Sequence, residues 1–339
     1  MKAVVLVGGE GTRMRPLTET MPKPLLPLMD RPSLAHVLDH LGRHGVTEVV
    51  LSSPYLEKTF APFIESRRGH PAVTWITETS PLGTGGAIVN ALDHVGTEPF
   101  FALNGDILTD LDLTSMRAEH RAHGAAVTIA LHHVEDATAF GLVIKDAHGR
   151  VEEFREKPTE PIPGDINAGT YLIDPASLDG WQAGEACSIE RDIFPAVIAS
   201  GRQVFGFPSD AYWLDLGTPQ NYLQAHFDML DGKVHDVTYV APWVADGAEI
   251  DLRAHIGRWV AIGAGASVQA EAQIDDSVLH PGARVGAGAR IVRSVIGAGA
   301  RVGEGATIED SVLGRGAAVP GALALQGERV SSDTTYRPA

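Results

Sequence analysis

The sequence predicts an α/β domain followed by a parallel β-helix, and three observations support this prediction. Up to about position 230, short β-branched runs alternate with amphipathic stretches of about a dozen residues, as in strands joined by helical crossovers. Beyond position 231, aromatic residues become rare and apolar residues recur every six positions. The 339 residues are also enough for two domains with separate cores.

The elements of the first domain follow in order from this alternation. Its predicted strands cover Lys2 to Val7, Glu48 to Ser52, Val73 to Thr77, Pro99 to Leu103 and Ala126 to His132. Its predicted helices cover Ser33 to Arg43, Glu57 to Arg67, Thr84 to His94 and Leu113 to His123. Ligands in open α/β sheets bind beyond the carboxyl ends of the strands, so the loops at Gly8 and Asn104 are the first places to search for a site.

The second domain is predicted from a repeat in which one apolar residue per six points inward. These residues are Ile250, Ile256, Ile262, Val268, Ile274, Leu279, Val285, Ile291, Ile296, Val302, Ile308, Leu313, Val319 and Leu325, with three one-residue slips. Such spacing resembles the left-handed β-helix of hexapeptide-repeat proteins, in which small residues turn the corners of triangular coils. A disordered Gly/Ala-rich tail has no reason to keep this register. We therefore predict an α/β domain at residues 1–231, a linker at 232–248, the β-helix at 249–325 and a loose tail at 326–339.

Composition excludes several classes of protein. The 43 acidic and 27 basic residues give a formal charge of −16, which repels nucleic acid and anionic membranes, so any bound phosphate requires a local basic site. Cys187 is the only cysteine, which excludes an intramolecular disulfide and a cysteine-cluster metal site and is typical of a reducing compartment. The opening run MKAVVLVGG is too short for a signal peptide, and no stretch approaches 18 uncharged apolar residues. We expect a cytoplasmic protein.

The first strand leads into GGEGTRMRPLTETMPKPLLPLMDRP, a segment typical of phosphate binding. A dinucleotide fingerprint fails here, because its third glycine is replaced by Met14 and no carboxylate follows the second strand. A Walker A loop requires Gly-Lys-Ser/Thr, which the chain lacks. What remains is a glycine-rich turn of exposed N–H groups, followed by Arg13, Arg15 and, between two prolines, Lys23. This arrangement suits several phosphates at once.

Together with later motifs, this segment resembles the sugar-1-phosphate nucleotidyltransferases, also called NDP-sugar pyrophosphorylases. The further motifs are PLGTGGA from Pro81, LNGD from Leu103, FREKP from Phe154, INAGTY from Ile166 and YWLDLGTP from Tyr212. These motifs occur in the order and at the spacing typical of the family, and the resemblance covers nearly the whole chain. SIERDIFPAVIASG, from Ser188, and YWLDLGTPQNYLQAHFDML most resemble the mannose-1-phosphate guanylyltransferases that carry a C-terminal β-helix.

The resemblance implies a Rossmann-like nucleotidyltransferase domain with a mixed sheet, and a phosphoryl-type transfer. A sugar-1-phosphate oxygen attacks the α-phosphorus of a nucleoside triphosphate, and pyrophosphate leaves on the opposite side. The nucleophile is already an anion, so catalysis consists of aligning and neutralising the phosphates rather than removing a proton. By motif position, Arg13 serves the β- and γ-phosphates, Lys23 serves the α-phosphate, and Asp106 and Asp215 are ligands of Mg²⁺.

The resemblance also implies two groups of binding residues. Those expected to bind the nucleotide are Gly8, Gly9, Gly11, Thr12, Arg13, Glu78, Gly83 and Asn104. Those expected to bind the sugar-1-phosphate are Gly141, Glu156, Lys157, Asn167 and Thr170. Lys157 is the expected cation for the sugar phosphate, and Glu156 accepts bonds from sugar hydroxyls. Phe140 departs from the tyrosine that relatives often carry before this glycine, which removes one polar contact.

Glu78 bears on the choice of base. Guanine presents two adjacent donors that one carboxylate accepts together, whereas thymine and uracil present one donor flanked by carbonyls, which an amide serves better. Glutamate therefore favours GTP, with mannose-1-phosphate as the expected acceptor. PLGTGGA departs from the PLGTAGA common in the mannose branch, so ATP, dTTP or UTP stays open, as does glucose-1-phosphate or a cyclitol phosphate such as valienol-1-phosphate.

Two other classes of function are less favoured. A noncatalytic regulatory subunit that binds nucleotide sugars is free to lose Arg13, Lys23, Asp106 and Asp215, which are all present. A β-helix acyltransferase would use a histidine such as His255 or His280 as its base, but a short β-helix after a complete nucleotidyltransferase more often serves assembly. We therefore expect a homo-oligomer held by residues beyond Gly247, because the outward residues of the β-helix are small or arginine.

Overall fold

The computed structural model describes residues 1–54, 57–67, 70–155 and 158–338, which fall into two compact units. The first unit combines residues 1–9 with 37–213, and the second combines residues 10–36 with the chain from residue 214. Residues 10–36 and 214–231, which the sequence suggested were part of the catalytic domain, thus belong to the same unit as the β-helix. None of the helices in the described ranges combines the length and apolar character that a membrane crossing requires.

The secondary structure before the β-helix follows the predicted alternation. The strands are β1 (Lys2–Leu6), β2 (Pro27–Leu28), β3 (Arg31–Pro32), β4 (Glu48–Ser53), β5 (Ala72–Thr77), β6 (Phe100–Asn104), β7 (Ile107–Thr109), β8 (Val127–Val134), β9 (Leu142–Lys145), β10 (Val151–Arg155), β11 (Gly164–Ile173), β12 (Val204–Pro208) and β13 (Trp213–Asp215). The helices are α1 (Ser33–Arg43), α2 (Glu57–Ser66), α3 (Gly83–Asn90), α4 (Leu92–Val95), α5 (Leu113–His123), α6 (Phe194–Ala199) and α7 (Pro219–Leu230).

The first unit is built on a mixed sheet, which confirms the predicted α/β fold. The order of its main path is β10-β9-β11-β6-β1-β4-β5, and β8 pairs with both β11 and β12. β1 runs parallel to β4 and β6, whereas the long strand β11 runs antiparallel to β6, β8 and β9. The core beneath the sheet includes Val4, Ala102, Ile129, Tyr171 and Phe194.

One predicted helix differs from the structure. The segment Thr84 to His94 is two helices, because the N–H of Ala91 bonds to the carbonyl of Ile88, three residues back, and tightens the turn between α3 and α4. By contrast, α1 and α5 begin and end at the predicted residues. Asp112 caps α5 by accepting the N–H groups of Thr114 and Ser115, and Gly124 ends it in a left-handed conformation.

The C-terminal part of the chain, from Trp243, forms three parallel sheets of short strands. The strands are β14 (Trp243–Val244), β15 (Glu249–Ile250), β16 (His255–Ile256), β17 (Ala261–Ile262), β18 (Ser267–Val268), β19 (Gln273–Asp275), β20 (Val278–Leu279), β21 (Arg284–Val285), β22 (Arg290–Val292), β23 (Val295–Ile296), β24 (Arg301–Val302), β25 (Thr307–Glu309), β26 (Val312–Leu313), β27 (Ala318–Val319), β28 (Ala324–Gln326) and β29 (Arg329–Val330). Sheet I is β14-β17-β20-β23-β26-β29, sheet II is β15-β18-β21-β24-β27, and sheet III is β16-β19-β22-β25-β28.

The β-helix keeps the predicted register but is longer than predicted. Every one of the fourteen inward residues is the second residue of its strand, and together they form one apolar core. The sheets begin at Trp243, within the expected linker, and end at Val330, within the expected tail. Thr335 also pairs with Ala318, so the expected loose tail continues the last coil.

The one-residue slips have a structural cause in a ladder of buried serines. Ser277, Ser294 and Ser311 occupy one corner of successive coils, and each hydroxyl donates to the carbonyl two residues before it. The hydroxyls of Ser277 and Ser294 also accept the N–H of the next serine along the ladder, both at 3.1 Å. The serine side chain shortens this corner by one residue, which gives the 17-residue period.

Candidate active site

The carboxyl ends of the parallel strands gather several predicted residues in the first unit. Leu6, the last residue of β1, lies in register with Ser52 of β4 and with Asn104 of β6. Gly8 and Gly9 follow β1, and Asp106 comes two residues after β6. These predicted nucleotide and metal positions therefore lie at the edge of the sheet where ligands of α/β proteins bind.

Glu78 follows β5 at the same edge and is only 6% exposed. The Ser52 hydroxyl donates to Oε1 at 3.0 Å, and the N–H of Leu82 donates to Oε2 at 3.1 Å. Because α3 starts one residue after Leu82, the carboxylate fixes the turn that leads into this helix at Gly83. Glu78 thus stabilises the loop, and one lone pair on each oxygen is left for another donor.

The departure from PLGTAGA has a packing explanation. The N–H groups of Gly85 and Gly86 donate to the carbonyl of Cys187 at 3.0 and 3.2 Å. A methyl group on Gly85 would lie 2.9 Å from Cys187 Sγ and 2.8 Å from Ile193 Cδ1, too close for real contacts. In this chain the side chains of Ile193 and Cys187 therefore leave no room for the alanine methyl of PLGTAGA. Burial raises the pKa of the Cys187 thiol, which favours this packing role over reactivity.

Sequence reasoning missed Glu190, which lies at the centre of a polar network. It accepts hydrogen bonds from Ser188 Oγ at 2.9 Å, Thr84 Oγ1 at 3.2 Å and Tyr171 Oη at 3.3 Å. Asn167 Nδ2 donates to Tyr171 Oη at 2.8 Å and to Glu190 Oε1 at 3.4 Å. Burial, with the charge of Glu190, raises the pKa of Tyr171 well above its usual value, so the phenol keeps its proton.

The other predicted sugar residues in the described ranges lie on β11 or just before β9, which pairs with β11. The register between β8 and β11 shifts after Asn167, which marks a bulge of the kind that redirects side chains next to active sites. Thr170 is buried, and Gly141 is exposed just before β9. Phe140 packs edge-on against Trp213 with ring centroids 5.6 Å apart, so the ring contributes an apolar wall. Glu156 and Lys157 lie outside the described residues.

In the second unit, three of the charged residues predicted to act in the reaction lie close together. Lys23 is 9% exposed, and its Nζ lies 3.7 Å from Asp215 Oδ1. Arg13 Nη2 lies 4.0 Å from Asp215 Oδ2, and the Arg13 side chain is 68% exposed. Gly11 adopts a left-handed conformation just before the short 3₁₀ helix of Thr12–Met14 that carries Arg13. The structure thus brings together the two cations and one carboxylate assigned to the reaction.

Gly217 permits this cluster, a role that the sequence did not indicate. A Cβ atom at this position would lie 2.7 Å from Arg13 Nη2 and 2.9 Å from Asp215 Oδ1. Any larger residue would therefore displace the guanidinium or the carboxylate. The sequence feature that could have indicated this role is the position of Gly217 two residues after Asp215 in the YWLDLGTP motif.

Helix α7 holds both sides of the cluster. Thr218 caps the helix, and Asn221 Nδ2 donates to the carbonyl of Asp215 at 2.7 Å. The Tyr222 hydroxyl donates to the carbonyl of Pro27, four residues after Lys23, and Nε2 of His226 accepts the N–H of Met29. The segment carrying Lys23 and the end of β13 that carries Asp215 are therefore fixed to one helix.

Two buried histidines of the second unit, His226 and His280, act in packing. His280 is buried, with Nε2 2.8 Å from the Tyr222 hydroxyl, and burial lowers its pKa to about 3. Burial likewise lowers the pKa of His226 to about 4. His255 is exposed on the β-helix, 3.7 Å from Asp275. These surroundings give no support to the acyltransferase alternative.

The donor set is compatible with a hard divalent cation. Among the described residues, no group of three or more His, Cys, Asp or Glu side chains could hold a metal ion. The predicted ligands Asp106 and Asp215 each carry carboxylate oxygens, and one or two carboxylates together with water and substrate phosphates are the ligands typical of Mg²⁺. The residues therefore fit a metal that binds together with a polyphosphate rather than a permanently caged ion.

Comparisons with known families match both parts of the chain. A family described as nucleotidyl transferase matches residues 2–232, and one described as the GMPPB C-terminal domain matches residues 240–335. Mannose-1-phosphate guanylyltransferase of Mycobacterium tuberculosis is 37% identical over 290 residues, which are 82% of this chain and 79% of that protein. Probable mannose-1-phosphate guanylyltransferase 2 of Arabidopsis thaliana is 35% identical over 291 residues, with the same two shares.

Solved structures agree with this result. HddC from Yersinia pseudotuberculosis, complexed with GMP-PN, is 28% identical with a TM-score of 0.58, covering 66% of this chain and 97% of that one. A putative glucose-1-phosphate thymidylyltransferase from Bacillus anthracis is 21% identical with a TM-score of 0.61, covering 71% of this chain and 97% of that one, and supports the fold alone. The chain therefore belongs to the nucleotidyl transferase family and, within it, to the mannose-1-phosphate guanylyltransferase branch.

Proposed function

We propose that this enzyme transfers a guanylyl group from GTP to mannose-1-phosphate and releases pyrophosphate. The observation that carries the proposal is the cluster of Arg13, Lys23 and Asp215. The carboxylate of Asp215 lies close to a buried cation, Lys23, and an exposed one, Arg13, and all three residues belong to motifs of the family. The names of the relatives in M. tuberculosis and A. thaliana support the choice of substrates, and the GMP-PN complex of HddC supports a guanine nucleotide.

The proposed mechanism follows from the charges of the cluster. An oxygen of the sugar phosphate forms a bond to the α-phosphorus of GTP, and the bond from that phosphorus to the bridging oxygen breaks, with its electron pair leaving on pyrophosphate. Lys23 has limited freedom because it is buried, so its ammonium is held ready for the α-phosphate. Arg13 is exposed and bears a planar fork of donors that suits the β- and γ-phosphates and the leaving pyrophosphate.

Enzymes of this family use a divalent metal ion, and we propose that it is Mg²⁺ here, held by Asp106 and Asp215. When bound, the ion supplies positive charge to the reacting phosphates. Asp215 has a second role, because its carboxylate lies within 4.0 Å of both Lys23 and Arg13 and keeps these mutually repelling cations close together.

The remaining sites are proposed from their positions. The turn of Gly8, Gly9 and Gly11, with Thr12, presents backbone N–H groups to phosphates, and Asn104 and Gly83 flank the base and ribose. Glu78 offers its remaining lone pairs to the two donors of guanine while it holds the loop before α3. Lys157 is proposed to bind the sugar phosphate, and Glu156, Gly141, Asn167 and Thr170 to shape the sugar site. Self-association through the β-helix is also part of this proposal.

Pyrophosphate release from a matrix of nucleoside triphosphates and hexose-1-phosphates with Mg²⁺ tests the function. We expect the highest kcat/KM for GTP with mannose-1-phosphate. Faster release with dTTP, UTP or ATP would refute the guanine assignment, and faster release with glucose-1-phosphate or valienol-1-phosphate would refute the mannose assignment. No release with any pair would favour the noncatalytic alternative.

A further inference from the structure

The outward column of sheet I changes in character at its last strand. Strand register aligns Ala261, Val278, Val295, Val312 and Arg329 along β17, β20, β23, β26 and β29. The first four residues are apolar and buried, whereas Arg329 is charged and exposed. Packing of the column therefore does not require an arginine at this position, so its contacts indicate its role.

The Arg329 guanidinium bonds to the backbone of residues 13–19, which we call the Arg13 segment. Nη1 of Arg329 donates to the carbonyl of Arg13 and to the carbonyl of Arg15, both at 3.0 Å. This nitrogen carries two hydrogens, one for each carbonyl. Both partners lie in the second unit, and the two bonds fix the chain on either side of Met14.

The turns of the Arg13 segment use other carbonyls. Their backbone bonds end on the carbonyls of Gly11, Thr12, Met14 and Pro16. The carbonyls of Arg13 and Arg15 accept from the Arg329 side chain instead. Removing the guanidinium should therefore keep the turns but leave the peptide groups beside Arg13 to solvent, where they rotate more freely.

Ser332 attaches the same coil of the β-helix to the far end of the Arg13 segment. Its N–H donates to Oε2 of Glu19 at 2.7 Å, and its hydroxyl donates to the carbonyl of Pro16 at 3.4 Å. Burial opposes ionisation of Glu19, but the hydrogen bonds from Ser332 hold the pKa of this carboxyl below its usual value. The carboxylate is therefore ionised at neutral pH and accepts the N–H strongly.

The coil that carries Arg329 and Ser332 is itself firmly held. The N–H groups of Val312 and Gly314, in the previous coil, donate to the carbonyls of the residues directly before and after Arg329, both at 2.8 Å. A Cβ atom on Gly314 would lie 2.7 Å from the backbone nitrogen of Ser332, so the two coils approach closely at this point. The Arg13 segment is thus attached to a rigid support.

We propose that Arg329 is a positioning residue for nucleotidyl transfer: it holds the backbone of the Arg13 segment so that the Arg13 side chain meets the β- and γ-phosphates in a productive orientation. Arg329 acts only through Arg13, so this role depends on the proposed function of Arg13 in the reaction. The Arg13 side chain is 68% exposed, so its direction depends mainly on the backbone that carries it. A misplacement of about 1 Å can cost about 10²-fold in rate when catalysis consists of alignment.

Arg329→Ala in the full-length chain tests this role. Pyrophosphate release is measured with the triphosphate and sugar-1-phosphate that the wild-type enzyme uses best, so the test does not depend on the choice of base or sugar. We expect kcat to fall about tenfold, with the KM for the sugar-1-phosphate unchanged, because the Arg13 segment serves the triphosphate.

Arg315→Ala is the matched control, since it removes the same exposed side chain from the preceding coil. Among the described residues, the side-chain hydrogen bonds from the β-helix to the Arg13 segment come from Arg329 and Ser332, not from Arg315. This variant should keep the wild-type kcat. A thermal unfolding curve for each variant checks that it is folded.

A double-mutant cycle distinguishes positioning from general support of the fold. In an Arg13→Ala background, Arg329→Ala should lower kcat by no more than about twofold, because the side chain that it positions is gone. In a Glu78→Gln background it should keep its tenfold effect, because Glu78 lies in the first unit. A purely structural role would give the same factor in both backgrounds.

Amide hydrogen exchange supplies a readout besides activity. In Arg329→Ala, exchange should be faster in peptides from the Arg13 segment and unchanged in α5. An unfolded Arg329→Ala variant, a wild-type kcat, an equal loss in Arg315→Ala, equal factors in the two backgrounds, or unchanged exchange would each overturn the role of Arg329 and leave the proposed function standing. A normal kcat in Arg13→Ala would overturn the roles of both arginines.

Discussion

Asp215 and Glu78 are both carboxylates on family motifs, but their surroundings differ. Glu78 is 6% exposed, and its two oxygens accept hydrogen bonds from the neutral donors Ser52 Oγ and Leu82 N–H. Asp215 has a side chain that is 24% exposed and lies within 4.0 Å of Lys23 and Arg13. Residue type alone therefore does not define the role of a carboxylate. Neutral donors give Glu78 a structural role in the loop, whereas neighbouring cations and access to solvent suit Asp215 to binding charged ligands.

The largest expected effect comes from neutralising the carboxylates assigned to the metal. Asp215→Asn and Asp106→Asn should each lower kcat by about 10²-fold or more, because each removes a negative ligand from the ion that neutralises the phosphates. Steady-state assays over a Mg²⁺ titration measure this loss. Near-normal turnover by either variant at limiting Mg²⁺ would contradict the metal assignment.

A matched control separates this effect from general destabilisation. Asp146→Asn makes the same change in the turn between β9 and β10, where the carboxylate accepts backbone N–H groups of His148 and Arg150. It should leave kcat and the Mg²⁺ requirement unchanged. An equal loss in this variant would show that the assay reports folding rather than chemistry.

The next effect concerns the exposed cation beside Asp215. Arg13→Ala should lower kcat by about 10²-fold, the usual cost of removing one positioned donor that stabilises developing charge. The variant should also raise the KM for GTP, since the guanidinium contacts phosphates before reaction. A loss confined to KM would show that Arg13 binds the ground state only.

The smallest expected effect is a change of base preference at Glu78. In Glu78→Gln, the amide no longer accepts both guanine donors with a full charge, and an NH₂ group facing Leu82 N–H would oppose two donors. GTP use should fall relative to dTTP or UTP by about 1–3 kcal/mol in kcat/KM.

Thermal unfolding of the same variant distinguishes the two roles of Glu78. A lower melting temperature is expected from the weakened turn before α3. If stability falls but the preference for GTP is unchanged, Glu78 only positions the loop. If the wild-type enzyme already prefers a triphosphate other than GTP, the partner of Glu78 is not guanine.

Local signals made part of this structure predictable from sequence. Asp112 and Gly124 mark the ends of α5, and the hexapeptide spacing predicts fourteen inward residues of the β-helix. Motif positions also led to Arg13, Lys23 and Asp215, which the structure brings together.

Other features depend on contacts between distant parts of the chain. Glu190 acquires its role only when Thr84, more than a hundred residues earlier, reaches its carboxylate. Cys187 explains Gly85 only through their packing, and Gly217 matters only because Arg13 approaches it. The assignment of residues 10–36 to the unit of the β-helix also results from long-range contacts, so periodicity and spacing gave no sign of it.

The reverse reaction tests the central claim most directly, because one substrate carries both the base and the sugar. With Mg²⁺ and pyrophosphate, the enzyme should convert GDP-mannose to GTP and mannose-1-phosphate at a higher kcat/KM than it converts ADP-, UDP- or dTDP-sugars. The Asp215→Asn variant should lose this activity in parallel with the forward one. Faster pyrophosphorolysis of any of these other nucleotide sugars, or equal rates in wild type and Asp215→Asn, would contradict the account.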